Sequence, residues 1–250
     1  MNAQRRDAIL LALKEKDVVS VQELVKNTGA SESTIRRDLT DLEKESAVKR
    51  VHGGASLSKR KTDEATLVEK QSINQPEKKK IAAAAAALVK EKDCLFLDAG
   101  TTTLEVIPYL EHKDVVVVTN GIPHVQILLD AGIDTYVLGG KAKQGTAALV
   151  GDKAAAALRE FRFDLCFLGI NGIDKRFGYT TPDPDEALIK RTALSLSAKT
   201  YVLADQAKIG EVSFARVASL DEASIITSDK LATDQQQELQ SETQIKVVTT

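Results

Sequence analysis

The stretch Ser31-Glu-Ser-Thr-Ile-Arg-Arg-Asp-Leu-Thr-Asp-Leu-Glu43 decides the fold of the amino-terminal part of this chain. Ser31 can cap a helix, because a serine hydroxyl accepts a hydrogen bond from an N–H group of the first turn. Behind it, apolar residues recur at the i, i+4, i+7 spacing that places them on one helical face. These residues are Ile35, Leu39 and Leu42. The pattern predicts an amphipathic helix that buries one face and exposes the other.

A shorter helix is predicted directly before this one. Ser20 caps it, and Glu23 stands three residues later in the position of a capping box. A turn at residues 27–30, which contains Gly29, separates the two helices. Two short helices joined in this way form a helix-turn-helix, whose second helix enters the major groove of DNA. The exposed positions of that helix are the predicted DNA contacts, namely Ser33, Thr34, Arg36 and Arg37.

A basic hairpin is predicted after the second helix. Residues 48–57 form two short β-prone pieces around Gly53-Gly54, which is typical of a wing that touches the DNA backbone or the minor groove. Its predicted contacts are Lys49, Arg50 and His52. A generic helical bundle with a basic surface is the alternative. The caps, the glycine turn, the periodicity and the basic wing together favour a winged helix-turn-helix.

The 250 residues carry a net charge of −2, but the two ends of the chain differ. Residues 1–61 hold 13 Lys and Arg against 9 Asp and Glu, whereas residues 62–250 hold 21 against 27. A basic head suits a nucleic-acid partner, and an acidic remainder needs local lysines wherever it binds an anion. With 43% apolar and 28% charged residues, the composition is that of a folded globular protein and excludes collagen-like, low-complexity and disordered classes.

Neither a membrane segment nor a disulfide framework is predicted. The longest apolar run, residues 81–89, is far shorter than the ~20 residues that span a bilayer. The amino terminus opens an amphipathic helix instead of a secretory signal. Cys94 and Cys166 lie inside apolar runs, which is typical of buried free thiols, so we expect a cytoplasmic protein.

From residue 76 onward, apolar runs alternate with turns and helical segments. Seven such runs occur, at residues 95–97, 115–118, 135–138, 165–168, 200–203, 224–227 and 245–248. Continuous β-branched runs separated by helices predict an α/β domain with a mainly parallel sheet covered on both faces. The expected organisation is a DNA-binding domain at 1–58, a linker at 59–75 and an α/β domain at 76–250.

Ligands of such sheets bind at the carboxyl ends of the strands. Asp98-Ala-Gly-Thr-Thr-Thr103 follows one run and resembles an anion cradle, because Gly100 permits close approach beside three hydroxyls. Threonines that only cap a helix are the simpler alternative. Asp205 and Lys208 follow another run. They could bind the hydroxyls and the phosphate of a sugar phosphate, or they could form an ordinary surface ion pair.

Other features of this part of the chain narrow the chemistry. Without a P-loop or a G-x-G-x-x-G motif, neither a nucleotide nor another cofactor is expected. His112 and His124 have no metal-ligand or triad spacing, so no metal or catalytic site is predicted and both are interpreted as ordinary surface or helix residues. Candidate phosphate-binding lysines are Lys78, Lys141, Lys143 and Lys208.

Taken in order, these motifs closely resemble the DeoR family of bacterial transcriptional regulators. The matching segments are residues 33–43, 49–55, 97–103, 118–120, 138–140, 167–174, 185–187 and 204–208. The pair Arg-Arg-Asp-Leu and His-Gly-Gly-Ala is the most specific part of the resemblance. One departure is Gly121, where the family commonly has Ser.

The resemblance implies a winged helix-turn-helix head and an effector domain similar to ribose-5-phosphate isomerase and the CoA transferases. Members usually repress sugar-catabolic operons, bind operator DNA as dimers or tetramers, and release it when a sugar phosphate binds. By matching motifs, the implied effector contacts are Lys78, Asp98, Gly100, Thr101, Thr102, Thr103, Thr119, Asn120, Gly139, Gly140, Glu186, Asp205 and Lys208.

Two other functions share these residues. The α/β domain could be a working sugar-phosphate isomerase with a fused DNA-binding head, using Asp174, Glu186 or Lys190 for proton transfer. The protein could also activate transcription instead of repressing it. A regulator without enzymatic activity, and specifically a repressor, is the prediction.

Overall fold

The computed structural model describes residues 2–16, 18–45, 47–51, 53–57 and 60–249, and the side chain of residue 15 is left out of the description. The chain divides into two compact units, Met1–Arg60 and Lys61–Thr250. The elements of the first unit are α1 (Ala3–Glu15), β1 (Val19–Ser20), α2 (Val21–Thr28), α3 (Glu32–Lys44), β2 (Val48–Val51) and β3 (Gly54–Leu57).

Three helices and a small antiparallel sheet, with strand order β1-β3-β2, make up the first unit. As predicted, the hydroxyls of Ser20 and Ser31 accept N–H groups at the starts of α2 and α3. Gly29 ends α2 in the left-handed conformation, which only glycine adopts without strain. The core contains the predicted periodic residues with others from α1, α2 and the sheet: Ile9, Leu13, Val19, Val21, Leu24, Ile35, Leu39, Leu42, Val48 and Ala55. This is a winged helix-turn-helix.

One polar contact inside this unit was not foreseen. Asp38 of α3 is buried, and its two carboxylate oxygens accept hydrogen bonds from two nitrogens of the Arg5 guanidinium in α1. A bidentate pair fixes geometry as well as charge. It therefore holds α1 against the inner face of α3, while the outer face of α3 stays exposed.

The second unit contains a seven-stranded sheet in the order β15-β14-β12-β9-β4-β5-β6, with every neighbouring pair parallel. Its strands are β4 (Cys94–Leu97), β5 (Val116–Thr119), β6 (Asp134–Val137), β9 (Phe163–Gly169), β12 (Ser197–Leu203), β14 (Ser224–Ser228) and β15 (Ile245–Val248). All seven predicted runs lie in this sheet. The predicted α/β class is therefore confirmed.

Helices cover both faces of the sheet. The helices of this unit are α4 (Leu67–Ser72), α5 (Gln75–Ala86), α6 (Thr101–Leu104), α7 (Ile122–Asp130), α8 (Asp152–Leu158), α9 (Pro184–Ser195) and α10 (Thr233–Gln240), and α4 has no buried residue. Along β4, Phe96 joins the apolar cluster formed with α8 and α9, whereas Leu95 and Leu97 join the cluster formed with α5. Alternate residues point to opposite faces, so a strand buried on both sides is apolar throughout.

Two smaller sheets flank the large one. The first pairs β7 (Lys141–Lys143) with β8 (Ala148–Val150), and the second joins β10 (Gly172–Asp174), β11 (Gly178–Thr181) and β13 (Ala215–Ala218). Their strands are three or four residues long, and the apolar runs of the sequence did not indicate them. The β7–β8 hairpin is important below, because it carries Lys143.

Residues 59–75, which the sequence assigns to a linker, contain structure of their own. From Lys61 onward they group with the second unit, and α4 opens with a capping box formed by Thr66 and Glu69. Cys166 is buried and Cys94 partly buried, both as free thiols. Among the described residues, the helices are all too short or too polar to cross a membrane.

Candidate functional site

The outer face of α3 presents the predicted DNA contacts in the first unit. Ser33, Arg36 and Arg37 are exposed and Thr34 is half-buried, because the buried residues occupy the opposite side of the helix. The Arg36 guanidinium pairs with Glu32 one turn earlier at 2.7 Å. Both members of that pair are about half exposed, so solvent screens it and a phosphate or a base edge can replace the carboxylate.

The wing supplies further basic groups beside α3. Lys49 is exposed, and Arg50 is half-buried with its guanidinium 3.4 Å from both the Arg36 carbonyl and the Thr40 hydroxyl. Arg50 therefore links the wing to the exposed face of α3. His52, the third predicted wing contact, lies outside the described residues.

In the second unit, the predicted effector residues gather where the parallel strands end. We call this the carboxyl edge, and define it as the loops that follow β4, β5, β6, β9 and β12 together with the start of α5, where Glu77 bonds the loop after β12. Adjacent parallel strands bring these loops together although they are far apart in the chain. The loop after β4, residues 98–103, is its centre.

Asp98 anchors this central loop through a buried ion pair. One carboxylate oxygen accepts the Gly169 N–H at 3.0 Å and the ammonium of Lys190, and both side chains are nearly inaccessible to solvent. Burial lowers the pKa of Lys190, but the Asp98 and Glu186 carboxylates outweigh burial and raise that pKa above its ordinary value. Lys190 therefore carries a full positive charge beneath the loop.

Thr103 and His124 close the loop from below. The Thr103 hydroxyl lies 2.5 Å from the Asp98 carbonyl and 3.2 Å from Nε2 of His124. Since its one proton goes to a carbonyl, Nε2 must be the donor to Thr103. Burial lowers the pKa of His124 to about 4 against a smaller opposing effect of Asp98, so the imidazole is neutral.

His124 was interpreted as an ordinary surface or helix residue, and it does lie in α7, but not at the surface. It is fully buried, and its Nδ1 has no hydrogen-bond partner among the described residues. The ring lies against Gly121, where a Cβ would overlap it. The glycine at position 121, where the family commonly has Ser, therefore has a structural reason. The signal in the sequence was the spacing of Gly121 and His124, which stand one helical turn apart.

The side chains of Thr119, at the end of β5, and of Asn120, directly after it, stabilise the loop formed by residues 98–103. The Thr119 hydroxyl donates to the Leu97 carbonyl at 2.7 Å, and the Asn120 carbonyl oxygen accepts the Ala99 N–H at 2.9 Å. Both side chains are buried. Within the described residues, the structure thus uses Thr103, Thr119 and Asn120 to set the shape of the loop.

Lys78, Asp205 and Lys208 form a second group at the carboxyl edge. Burial lowers the pKa of Lys78, the charge of Asp205 opposes this effect, and the charge of Lys208 lowers that pKa further. The Lys78 ammonium donates to the Lys70 carbonyl. Asp205 caps a short 3₁₀ turn at residues 206–208 by accepting the Ala207 N–H at 3.0 Å.

Glu77 is a buried carboxylate that sequence reasoning missed. One oxygen accepts the Gln206 N–H at 2.8 Å and the Ser228 hydroxyl at 2.6 Å, joining α5 to the loop after β12 and to the end of β14. Its other oxygen is 3.8 Å from the Lys230 ammonium. In the sequence it reads only as an acidic residue in the first turn of α5, which is common at helix starts.

The remaining predicted residues lie around β6 to β8 and α9. Gly139 and Gly140 are exposed after β6, and a Cβ on Gly140 would press on the Val150 carbonyl. Glu186 is buried and accepts from the Lys143 ammonium at 3.0 Å and the Thr146 hydroxyl at 2.8 Å. The Lys143 ammonium is therefore already paired with a carboxylate of the protein.

Two domains of known protein families together match most of the chain. Residues 5–61 match the DeoR-like helix-turn-helix domain, and residues 73–230 match the DeoR C terminal sensor domain. A helix-turn-helix unit with an exposed basic face, followed by a sensor domain, defines the protein as a DNA-binding transcriptional regulator. More specifically, the chain belongs to the DeoR family.

Relatives align along almost their whole length. The chain is 46% identical to the uncharacterized HTH-type transcriptional regulator FruR of Bacillus subtilis, over 99% of each chain. It is 35% identical to the HTH-type transcriptional regulator GlpR of Haloferax volcanii, over 96% of this chain and 94% of that one. A lactose phosphotransferase system repressor of Staphylococcus aureus is 33% identical, over 90% and 91%.

Among solved structures, a ribose 5-phosphate isomerase A from Methanocaldococcus jannaschii is similar at a TM-score of 0.41 and 17% identity. That match covers 54% of this chain and 55% of the isomerase.

Proposed function

We propose that the protein represses a sugar-catabolic operon by binding operator DNA through α3 and the wing, and that a phosphorylated sugar at the carboxyl edge releases it. The observation that carries the DNA-binding half is the exposed polar face of α3, backed by a buried apolar face and the Arg5–Asp38 pair. Arginine forks on such a face fit guanine edges and phosphates. The proposed contacts are Ser33, Thr34, Arg36, Arg37, Lys49, Arg50 and His52.

Operator binding can be tested with a duplex that the protein selects from a random-sequence library. Arg36→Ala or Arg37→Ala should weaken binding by ~1–3 kcal/mol if the side chain makes a bidentate base contact. Arg6→Ala is the matched control, because Arg6 is an arginine of α1 that pairs with Glu45 at 2.5 Å. Full affinity in both α3 variants would exclude α3 as the recognition helix.

For the effector, we infer two kinds of residue at the carboxyl edge. One kind shapes the loop through buried hydrogen bonds, and we propose this role for Asp98, Gly100, Thr103, Thr119 and Asn120. The other kind would meet the ligand or line its approach, and we propose this role for Lys78, Thr101, Thr102, Gly139, Gly140, Glu186, Asp205 and Lys208. The positive charges of Lys78 and Lys208, which act on one another in a net-acidic unit, support a phosphorylated ligand.

Thermal unfolding with fructose 1-phosphate, tagatose 6-phosphate and glycerol 3-phosphate tests this site. A ligand at ~100 times its dissociation constant should stabilise the protein by ~2.7 kcal/mol. Lys78→Met and Lys208→Met should each abolish the shift, whereas Lys175→Met, which removes an exposed lysine of the same unit, should retain it. Equal shifts in all three variants would place the ligand elsewhere.

The relatives' names support a regulator over an enzyme. The proton-transfer groups considered for an isomerase are each engaged in the fold: Glu186 with Lys143, Lys190 with Asp98, and Asp174 with the N–H groups of residues 176 and 177. We therefore propose binding without turnover. Conversion of an aldose phosphate to a ketose phosphate by purified protein would contradict this.

A further inference from the structure

One segment of the second unit is held almost entirely by polar contacts. We call residues 61–72 the strap; it begins directly after Arg60, the last residue of the DNA-binding unit. Its helix, α4, has no buried residue, and Val68 within it is 75% exposed. Hydrophobic burial, the dominant stabilising term in most elements, is therefore small here. Elements of this kind open at low cost in free energy.

The main fastening of the strap is a cluster of charges. Glu64 pairs with Lys143 of β7 at 2.5 Å and with Lys70 at 2.7 Å, and its side chain is 11% exposed. Lys143 also pairs with Asp183 at 2.8 Å and Glu186 at 3.0 Å. Burial lowers the pKa of Lys143, but the three carboxylates outweigh burial and raise it. Such partly buried pairs are screened less than surface pairs.

Further contacts fasten the strap, among them a hydrogen bond from the Phe214 N–H to the Lys61 carbonyl at 3.0 Å. The Leu67 N–H donates to the Gly145 carbonyl at 2.8 Å, next to Lys143 on the β7–β8 hairpin. At the other end, the Lys70 carbonyl accepts the Lys78 ammonium. Lys78 belongs to the carboxyl edge, so one residue of the proposed effector site holds the strap directly.

The charge cluster also reaches the centre of the carboxyl edge. Glu186 acts electrostatically on Lys190, which pairs with Asp98 in the central loop. The strap is therefore joined to the edge at both ends, through Lys78 and through Lys143, Glu186 and Lys190. A phosphate that draws the Lys78 ammonium toward itself removes the donor from the Lys70 carbonyl.

We propose that the strap couples an occupied carboxyl edge to the DNA-binding unit, with Glu64 and Lys143 as the positioning residues that hold it in the ligand-free state. This inference rests on the proposed function. A ligand shifts an equilibrium only by its different affinity for two states, and here the states are a fastened and a released strap. The phosphate favours the released state by drawing the Lys78 ammonium out of hydrogen-bond range of the Lys70 carbonyl, which it contacts in this structure.

The test measures the coupling factor, defined as the ratio of operator dissociation constants with and without saturating fructose 1-phosphate. Wild type should show a factor within the usual range of roughly 5–150. Glu64→Gln keeps the side-chain volume but removes the charge, and Lys143→Met removes its partner. Both variants should bind the operator more weakly without ligand, and their coupling factors should fall toward one. Fructose 1-phosphate should still bind Glu64→Gln.

Lys175→Met is the matched control, since the ion pairs of Lys175 with Glu238 and Glu242 are long, at 3.9 and 4.0 Å, and exposed. Its coupling factor should equal that of wild type. An independent measurement needs no variant: hydrogen exchange at the Leu67 amide of wild type should accelerate when fructose 1-phosphate binds.

The possible failures are distinguishable. A wild-type coupling factor retained in Glu64→Gln and Lys143→Met overturns the role of the strap, and so does unchanged exchange at Leu67, while the proposed function stands. If tagatose 6-phosphate or glycerol 3-phosphate gives the larger thermal shift, it replaces fructose 1-phosphate as the probe. Wild type that releases operator with none of the three overturns the proposed function and the strap together.

Discussion

Lowering the pH from 7 to 5 should destabilise the sensor unit through one buried imidazole, that of His124. Protonation would place an N–H on Nδ1, which faces Gly121 and has no acceptor among the described residues. Burial accordingly lowers the pKa of His124 from 6.5 to about 4. The charged form is the unfavourable one, so the unfolded chain binds this proton more readily than the folded protein.

The sign and the size follow from this difference. Between pH 6.5 and pH 4 the unfolded state binds more protons, so the free energy of unfolding falls as the pH falls and is unaffected by His124 above about pH 7. Each pH unit in that window is worth about 1.36 kcal/mol. At pH 5, His124 alone should therefore cost the folded state about 2 kcal/mol relative to pH 7.

Urea unfolding followed by far-UV circular dichroism at both pH values measures this cost. The measured quantity is the free energy of unfolding lost between pH 7 and pH 5, determined for wild type and for His124→Asn. Both proteins contain the same carboxylates, so the effect of the carboxylates cancels when the two losses are subtracted. His112→Gln, which removes an exposed imidazole, should behave as wild type. If His124→Asn loses as much stability as wild type, or if NMR shows the His124 ring titrating near pH 6.5, the reasoning is refuted.

Three further outcomes follow from the same structure. Gly121→Ser should destabilise the unit by ~1–3 kcal/mol, because the serine Cβ would overlap the His124 ring. In urea unfolding, most of this cost should disappear when Gly121→Ser is combined with His124→Ala. Lys190→Met should cost ~3–5 kcal/mol by leaving the Asp98 carboxylate buried and unpaired, and unfolding of Lys190→Met with Asp98→Asn should show partial recovery. Operator affinity should fall as salt rises, and the log–log slope should decrease by about one in Arg37→Ala if that arginine contacts a phosphate.

Much of the fold could be predicted because its signals are local. A serine cap, a glycine in the left-handed region and the spacing of Ile35, Leu39 and Leu42 act within a few residues of one another. The seven apolar runs are equally local. Central strands such as β4 and β9 are buried on both faces and need no alternation, whereas the edge strands β6 and β15 stay exposed or half-buried although their sequences contain apolar residues. The short strands β7, β8, β10, β11 and β13 lie outside these seven runs and were not predicted.

The candidate site could be predicted only in part. Residues that follow a strand, such as Asp98 and Asp205, were found because a parallel sheet gathers its carboxyl ends. The burial of His124 was missed, since an isolated histidine on a helix gives no signal of what packs around it. Glu77 and Lys190 were not assigned to the effector site because their partners lie far away in the chain.

The sequence by itself determined which elements form and where the loops that carry the polar residues fall, since caps, periodicity and apolar runs depend on near neighbours. The tertiary structure alone decided which charges meet. Lys190 reaches Asp98 across 92 positions and Lys143 reaches Glu64 across 79. The physical reason is that an ion pair needs its charges within a few ångströms of each other, and only the packed sheet brings residues so distant in sequence that close.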